Sequence, residues 1–274
     1  MRIARFTTPG EDPRFGVVEL AEDNGEHPDT IAVVSGDPLV SSVKYTGERV
    51  LLADARLLAP VIPRSKIVGA GSQYVETKAE LNQEFSRQPT FFFKPNTSVI
   101  GPGDAIIHPT EVKELCFEGE LAVVIGRIAR KVPLDRVDEV VFGYTVANDL
   151  TAGDINRTEV GWARAKGWDT FCPLGPWIVT HLTAAETTDL ALSSTVDGVI
   201  KQDSSTSLMI RNAAQIVSLA SEFTTLLPGD VILTGTPVGA GPVQPGQEIS
   251  ITIEGIGTLS NPVVEDRDDW GEVE

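Results

Sequence analysis

Hydrophobic and polar positions along this chain follow two periods, and the shorter one dominates. In QEISITIEGIG (247–257), Ile249, Ile251 and Ile253 alternate with polar neighbours, the pattern of a strand buried on one face. ELAVVIG (120–126) and VVFGYTVAND (140–149) are apolar on both parities, as in strands covered on both faces. KIVGAG (66–71), TFFFKP (90–95), PLGPWIVT (173–180) and VILTG (231–235) add further strands, and TSVIGPGDAIIHP (97–109) reads as turn-rich β. Ahead of residue 60, RIARF, FGVVEL and TIAVV are short strands, the first two joined through a PGEDPR turn, with RVLLADARLLAP after them. The helical period is clear in SLMIRNAAQIVSLASEFTTLL (207–227), where Leu208, Met209, Ile216, Leu219, Ala220, Phe223 and Leu227 predict one amphipathic helix ended by Pro228-Gly229-Asp230. QYVETKAELNQEF (73–85) predicts a short exposed helix, VPLDRVDEV (132–140) a short helix or turn, and residues 154–167 an irregular stretch with helical turns. The fold class is mixed, mainly β with few helices. A small β-rich N-terminal domain is expected over 1–62, with its boundary at Pro60 and VIPRSK (61–66). A larger domain follows over 63–274, ending in an acidic, frayed tail, EDRDDWGEVE (265–274).

Composition narrows the classes. The 274 residues suffice for a full core, and 41% hydrophobic with 22% charged content is ordinary for a globular protein. A formal net charge of −17 argues against nucleic acid or an anionic membrane surface as partner. The two cysteines, Cys116 and Cys172, make no disulfide framework or zinc spacing. No run approaches the length of a membrane helix and the N-terminus lacks a leader-like apolar stretch, so the expected compartment is the cytoplasm.

The chemistry is concentrated in acidic residues set among apolar ones. Glu118 and Glu120 stand two apart in CFEGELAVVIG (116–126), a spacing that directs both side chains to one face of a strand, and Asp149 ends a second apolar run. Buried carboxylates are costly without a compensating cation. Three of them predict an all-oxygen site for Mg²⁺, Mn²⁺ or Ca²⁺. The competing reading is an edge strand whose glutamates pair with surface Lys or Arg. Lys94 and Lys166 are candidates to polarise a carbonyl or bind a carboxylate, against the common fate of a lysine lying along the surface. TGTPVGAG (234–241) is not a phosphate loop, but its backbone N–H groups, with Gly235 and Thr236, suit a carboxylate; a plain turn is the alternative. His27, His108 and His181 read as surface or structural, and no G-x-S-x-G motif is present.

KIVGAG with Tyr74 and Glu80, FFFKP, FEGELAVVIG, GYTVAND, WARAKGWDTFCPLGPWI (162–178), LLPGDVILTGTPVGAG (226–241) and GIGTLSNPV (255–263) occur in an order that resembles the fumarylacetoacetate hydrolase superfamily over residues 62–264. The resemblance implies a mixed β-roll catalytic domain behind a small N-terminal domain, and commonly a homodimer. It implies that Glu118, Glu120 and Asp149 hold Mg²⁺ or Mn²⁺, that Lys166 contacts substrate oxygens, and that Thr236 holds a carboxylate. Members act on 2-oxo and β-diketo acids by C–C hydrolysis, decarboxylation or keto–enol and double-bond shifts, chemistry in which a metal stabilises an enolate. C–C hydrolysis is the default expectation, tautomerisation or isomerisation the second, decarboxylation a third, and a non-catalytic acid-binding protein the last. The chain departs from the family where relatives carry Gly-Arg-Asn-Tyr and then a water-activating His and Glu. Here the run is Gly71-Ser72-Gln73-Tyr74, with Thr77 in the His position and Glu80 as the base that stays. A family Arg and Gln after Asp149 are replaced by Gly153 and Asn156, and Arg157 or Arg164 are the cations available to compensate. Ser72, Gln73, Tyr74, Thr77, Gly153 and Asn156 are therefore expected to face the substrate.

Overall fold

The computed structural model describes residues 1–21, 27–86 and 88–266. The acidic tail from residue 267 onward lies outside the described residues, whereas Glu265 closes a strand. The fold is mostly β, as the alternation predicts.

The largest sheet runs in the order Tyr45–Leu51, Thr30–Val34, Arg14–Glu19, Arg2–Thr7, Cys172–Val179, Val141–Asn148, Gly119–Ile125, Val231–Leu233, Ile67–Gly71, Thr90–Lys94. Its middle strands are apolar on both parities because both faces are covered. Every residue of Gly119–Ile125 and of Cys172–Val179 is buried. A five-stranded sheet packs nearby, in the order Val199–Ser205, Ala191–Val196, Glu248–Ile253, Gly257–Glu265, Ile106–His108. In it Ile249, Ile251 and Ile253 are buried as the alternation requires. Leu115–Phe117, Thr151–Ala152 and Gly241–Val243 form a third, small sheet.

The N-terminal segment is β-rich but extends the large sheet instead of standing apart. Arg2–Thr7 pairs with Arg14–Glu19 and, through Arg2 with Val179 and Ile3 with Ile178, with the central strand Cys172–Val179. At the 60–66 boundary, Asp230 of the Pro-Gly-Asp turn is fully buried. It accepts hydrogen bonds from the Ser65 hydroxyl, the Lys66 backbone N–H, the Lys66 ammonium at 2.7 Å and the Leu227 N–H. That turn therefore fastens the link between the N-terminal segment and the strand beginning at Ile67.

The amphipathic helix is shorter than its pattern. It spans Ala213–Phe223, because Asn212 and Gln215 form a reciprocal capping box and the last turn ends at Thr224. Leu208 ends a separate 3₁₀ turn, Met209 bridges to Tyr74, and Phe223 is 47% exposed. The exposed helix expected over 73–85 is a 3₁₀ turn, Lys78–Asn82. Among the described residues no helix is long and apolar enough to cross a membrane.

Asp230→Ala would leave a half-buried ammonium and two backbone N–H groups without this acceptor. Equilibrium urea unfolding should show a loss of about 3 kcal/mol. A change below about 0.5 kcal/mol would mean that the turn does not hold the boundary.

Candidate metal centre and active site

Strand register brings the three carboxylates together. Gly119 pairs with Asn148 and Glu120 with Ala147, so continuing the antiparallel ladder by one residue sets Glu118 beside Asp149. The Asp149 N–H donates to the Glu118 carbonyl at 2.9 Å, and the Glu118 N–H to Asn148 Oδ1 at 2.9 Å. Glu118 stands at the break between Leu115–Phe117 and Gly119–Ile125 and not inside one strand as the spacing suggested, yet its carboxylate still faces that of Glu120. One ligand oxygen from each of Glu118, Glu120 and Asp149 lies within 4.8 Å of the others.

Two lysines and one backbone amide compensate these acids. The Lys166 ammonium donates to Glu118 Oε2 at 2.8 Å and to Asp149 Oδ2 at 2.5 Å. Lys94, completely buried, donates to Asp149 Oδ1 at 2.6 Å and to the Leu150 carbonyl at 3.1 Å. Thr151 Oγ1 donates to Glu118 Oε1 at 2.6 Å, and the Gly235 N–H to Glu120 Oε2 at 2.6 Å. Glu120 Oε1 receives no donor among the described residues. Three carboxylates against two ammonium groups leave one formal negative charge in a largely buried site.

That imbalance appears in the protonation of the groups. Burial, with Asp149 and Glu118 alongside, holds the Glu120 carboxyl well above the usual carboxylate range. Burial acts on Asp149 in the same direction, but Lys166 and Lys94 outweigh it and keep Asp149 ionised below its ordinary value. Burial would lower Lys166, yet the attraction of Asp149 and Glu118 prevails and holds it as an ammonium beyond the ordinary lysine value.

A cavity of about 310 Å³ opens on this cluster, lined by Glu118, Glu120, Asp149 and Lys166 together with Ser72, Asn156, Gly235 and Thr236. Its apolar wall is aromatic. Phe92 lies over Gly69, where a Cβ would fall 2.1 Å from the ring. Its ring packs edge-on against Trp162 with centroids 5.3 Å apart, and Lys166 Nζ sits 4.9 Å from the Phe92 centroid.

The expected substrate-facing residues divide. Ser72, Asn156, Gly235 and Thr236 line the cavity; Gln73, Thr77, Gly153 and Glu80 do not. Gln73 is buried and turned away, donating to the Gly71 and Ser72 carbonyls and accepting from Arg211. Glu80 accepts from the Thr77 hydroxyl at 2.9 Å and from the Glu76 N–H, so the two residues satisfy each other outside the cavity. Tyr74 also stands outside the lining, but its hydroxyl is buried without a partner. Burial pushes that hydroxyl above the ordinary tyrosine value, with the Glu120 carboxylate adding to the effect. Arg157 and Arg164 do not supply the missing cation: Arg157 pairs with Glu114 and Arg164 with Glu159, both in exposed pairs. The cation that neutralises the triad from behind is Lys94, which sequence reasoning offered only as one lysine among two; it does not line the cavity and so does not replace the family Arg. Phe92 and Trp162 were not singled out as cavity walls, although their places in FFFKP and WARAKGW carried the signal.

Residues 66–264 match the family described as "Fumarylacetoacetate (FAA) hydrolase C-terminal", and residues 1–60 match "Rv2993c-like, N-terminal". The chain belongs to the fumarylacetoacetate hydrolase family. Within this family it is 45% identical to "Protein Rv2993c" of Mycobacterium tuberculosis, over 96% of this chain and 98% of that protein. It is 36% identical to "Oxaloacetate tautomerase Fahd2a, mitochondrial" of Rattus norvegicus, over 96% and 92%. Among solved structures it resembles the 5-carboxymethyl-2-hydroxymuconate delta-isomerase of Mycobacterium smegmatis at 43% identity and TM-score 0.87, covering 97% of this chain and 100% of that one. It also resembles the maleylpyruvate hydrolase of Sphingobium sp. SYK-6, in complex with manganese(II) and pyruvate, at 30% identity and TM-score 0.77, covering 97% and 100%. Family members are thus enzymes of more than one reaction type.

The donor set of this member fits a hard divalent cation. All three ligands are carboxylates, and metal–oxygen distances of about 2.1–2.6 Å accommodate ligand oxygens roughly 3–5 Å apart. The excess of one carboxylate over the two ammonium groups is what such an ion would offset, in place of the protonation that burial favours at Glu120.

A cation entering this site competes with protonation of Glu120, whose carboxyl burial holds above the ordinary range, so affinity should rise with pH. Calorimetric titration of Mn²⁺ into metal-free protein, in buffers of different ionisation enthalpy, should report net proton release; heats independent of buffer would remove this coupling. Glu118→Ala should remove at least about tenfold of the affinity by analogy with loss of any direct ligand, and unchanged metal content in that variant would dismiss the ligand assignment.

Proposed function

We propose that this protein is a divalent-metal-dependent enzyme that tautomerises or isomerises an enolisable 2-oxo acid, ahead of the C–C hydrolysis that the family resemblance put first. The observation that carries this order is the cavity's inventory of titratable groups. Glu118, Glu120, Asp149 and Lys166 line it, whereas Glu80, the base a hydrolytic water would need, is hydrogen-bonded to Thr77 outside. Similarity to an oxaloacetate tautomerase and to a muconate-type isomerase supports the same order.

Glu118, Glu120 and Asp149 would hold Mg²⁺ or Mn²⁺, which when bound supplies Lewis-acid polarisation of a 2-oxo acid's oxygens. Lys94 keeps Asp149 ionised from the side away from the cavity. Lys166 faces the cavity as an ammonium, so it is placed to contact a substrate oxygen and stabilise negative charge that develops there. Phe92 and Trp162 exclude water from one wall, which favours proton exchange over hydrolysis. Ser72 and Asn156 offer polar groups to the far end of a small di-acid. The homodimer implied by the family belongs to the same reading. Phe93 and Phe223, exposed and 6.2 Å apart, supply apolar surface that a partner copy would cover.

With Mg²⁺ present, the enol absorbance of oxaloacetate or an acylpyruvate should decay faster with the protein than without it, while pyruvate does not accumulate. Stoichiometric pyruvate would return the assignment to hydrolysis or decarboxylation. Lys166→Met should lower kcat by about 10²- to 10³-fold, the usual worth of one donor aimed at developing negative charge, with metal content retained; a wild-type rate in that variant would remove Lys166 from the mechanism.

A further inference from the structure

The three consecutive phenylalanines of FFFKP are not equivalent, because a strand presents its side chains alternately to two faces. Phe91 and Phe93 leave one face of the edge strand Thr90–Lys94 and meet Phe223, with ring centroids 5.0 and 6.2 Å away. Phe92 and Lys94 leave the other face, and both are buried. Lys94 ends at Asp149 Oδ1, and the Phe92 ring ends beneath Lys166 Nζ. One face of one strand therefore gives an ammonium to Asp149 and an aromatic ring to the lysine that shares Asp149.

The ring has a built seat. Phe92 stands opposite Gly69 on the neighbouring strand Ile67–Gly71, and a Cβ at Gly69 would fall 2.5 Å from each ring Cε. Gly71, two residues on and so on the same face, leaves matching room for Trp162, since a Cβ there would fall 2.6 Å from Trp162 Cη2. The two glycines of KIVGAG thus let both rings lie close against the strand, with Trp162 edge-on to Phe92.

The Lys166 ammonium has three protons. Two are given to Glu118 Oε2 and Asp149 Oδ2. Both acceptors belong to carboxylates that would hold the metal ion. Their attraction for the ammonium weakens when their charge is shared with a cation that also repels it. The Phe92 face, by contrast, carries no charge and takes no part in ligation. An aromatic face attracts an ammonium through the ring quadrupole, more strongly where water is excluded.

We propose that Phe92 is a positioning residue for Lys166: its ring face keeps the ammonium at the cavity while the carboxylates are engaged with a metal ion, so that the third proton meets an anionic oxygen of the ligand. The inference rests on the metal-dependent 2-oxo acid reading and deepens it by naming what aims the lysine. An aliphatic side chain of similar bulk would fill the space and leave the lysine unaimed.

The test varies the charge distribution of the ring and hardly its size. Phenylalanines bearing one, two and three fluorines are placed at position 92, each fluorine drawing electron density from the ring face. Oxalate binding to the Mn²⁺-loaded protein, followed by calorimetry, should weaken stepwise along the series, by about threefold to thirtyfold in all, the worth of a cation–π contact shielded from water. Mn²⁺ affinity should stay within about twofold. The same series in Lys166→Met protein should show no trend. A level oxalate affinity across the series, or the same decline in Lys166→Met, would overturn the positioning role. Graded oxalate binding without turnover of any 2-oxo acid would support the contact and sink the proposed activity. If the protein takes up no Mn²⁺, the metal-dependent reading fails and the contact is read in metal-free protein by NMR. The ring should then shift the Lys166 ε-methylene protons upfield in the wild type and not in Phe92→Leu; unshifted protons in the wild type would overturn the proposal.

Discussion

Burying three carboxylates within 4.8 Å of one another is the constraint on which the rest of this site depends. In a low-dielectric interior their repulsion and desolvation cost far more than packing returns, unless cations stand close by. Lys94 and Lys166 meet that demand by taking one oxygen each of Asp149. Their roles separate by position. Lys94 is sealed behind the cluster and is also tied to the Leu150 carbonyl, so it acts as a permanent counter-ion. Lys166, also paired with Glu118, faces the cavity that a ligand would enter.

The rest of the fold holds this arrangement still. The strands carrying Glu120 and leading to Asp149 are central in the large sheet and buried on both faces, so neither can shift without exposing core. Gly235, at the end of Val231–Leu233, is hydrogen-bonded to Glu120, and Gln202 of the second sheet reaches Gly119 and Thr236 together. One site therefore draws on both sheets. Backbone amides and the buried side-chain amides of Asn148 and Gln202, groups that cannot change charge with pH, fix this geometry together with the two lysines.

Retention of the metal ligands beside loss of the family's His and Arg positions has a structural counterpart. Thr77 and Glu80 satisfy each other outside the cavity. Gly153 packs against Glu114, whose carboxylate is already taken by Arg157. What lines the cavity is an acid cluster, one ammonium held between Glu118 and Asp149, an aromatic wall and a few neutral polar groups, a set suited to stabilising the enolate of a chelating acid more than to activating water.

The sequence by itself determined the β-rich class, the buried alternation of Ile249, Ile251 and Ile253, and the family. It also marked the acidic triad, because carboxylates embedded in apolar runs are legible without coordinates. Local patterns report local burial, and those features are local. Only the tertiary structure decided that the first strand joins Cys172–Val179, that Lys94 backs the triad while Arg157 and Arg164 stand in exposed pairs, that Glu80 stands away from the cavity, and that Gln202 bonds Gly119 and Thr236 together. Each of these rests on contacts between residues tens to hundreds of positions apart. A polar residue such as Gln202, in a strand whose neighbours are exposed, carries no pattern that distinguishes a buried, fully bonded amide from one in water.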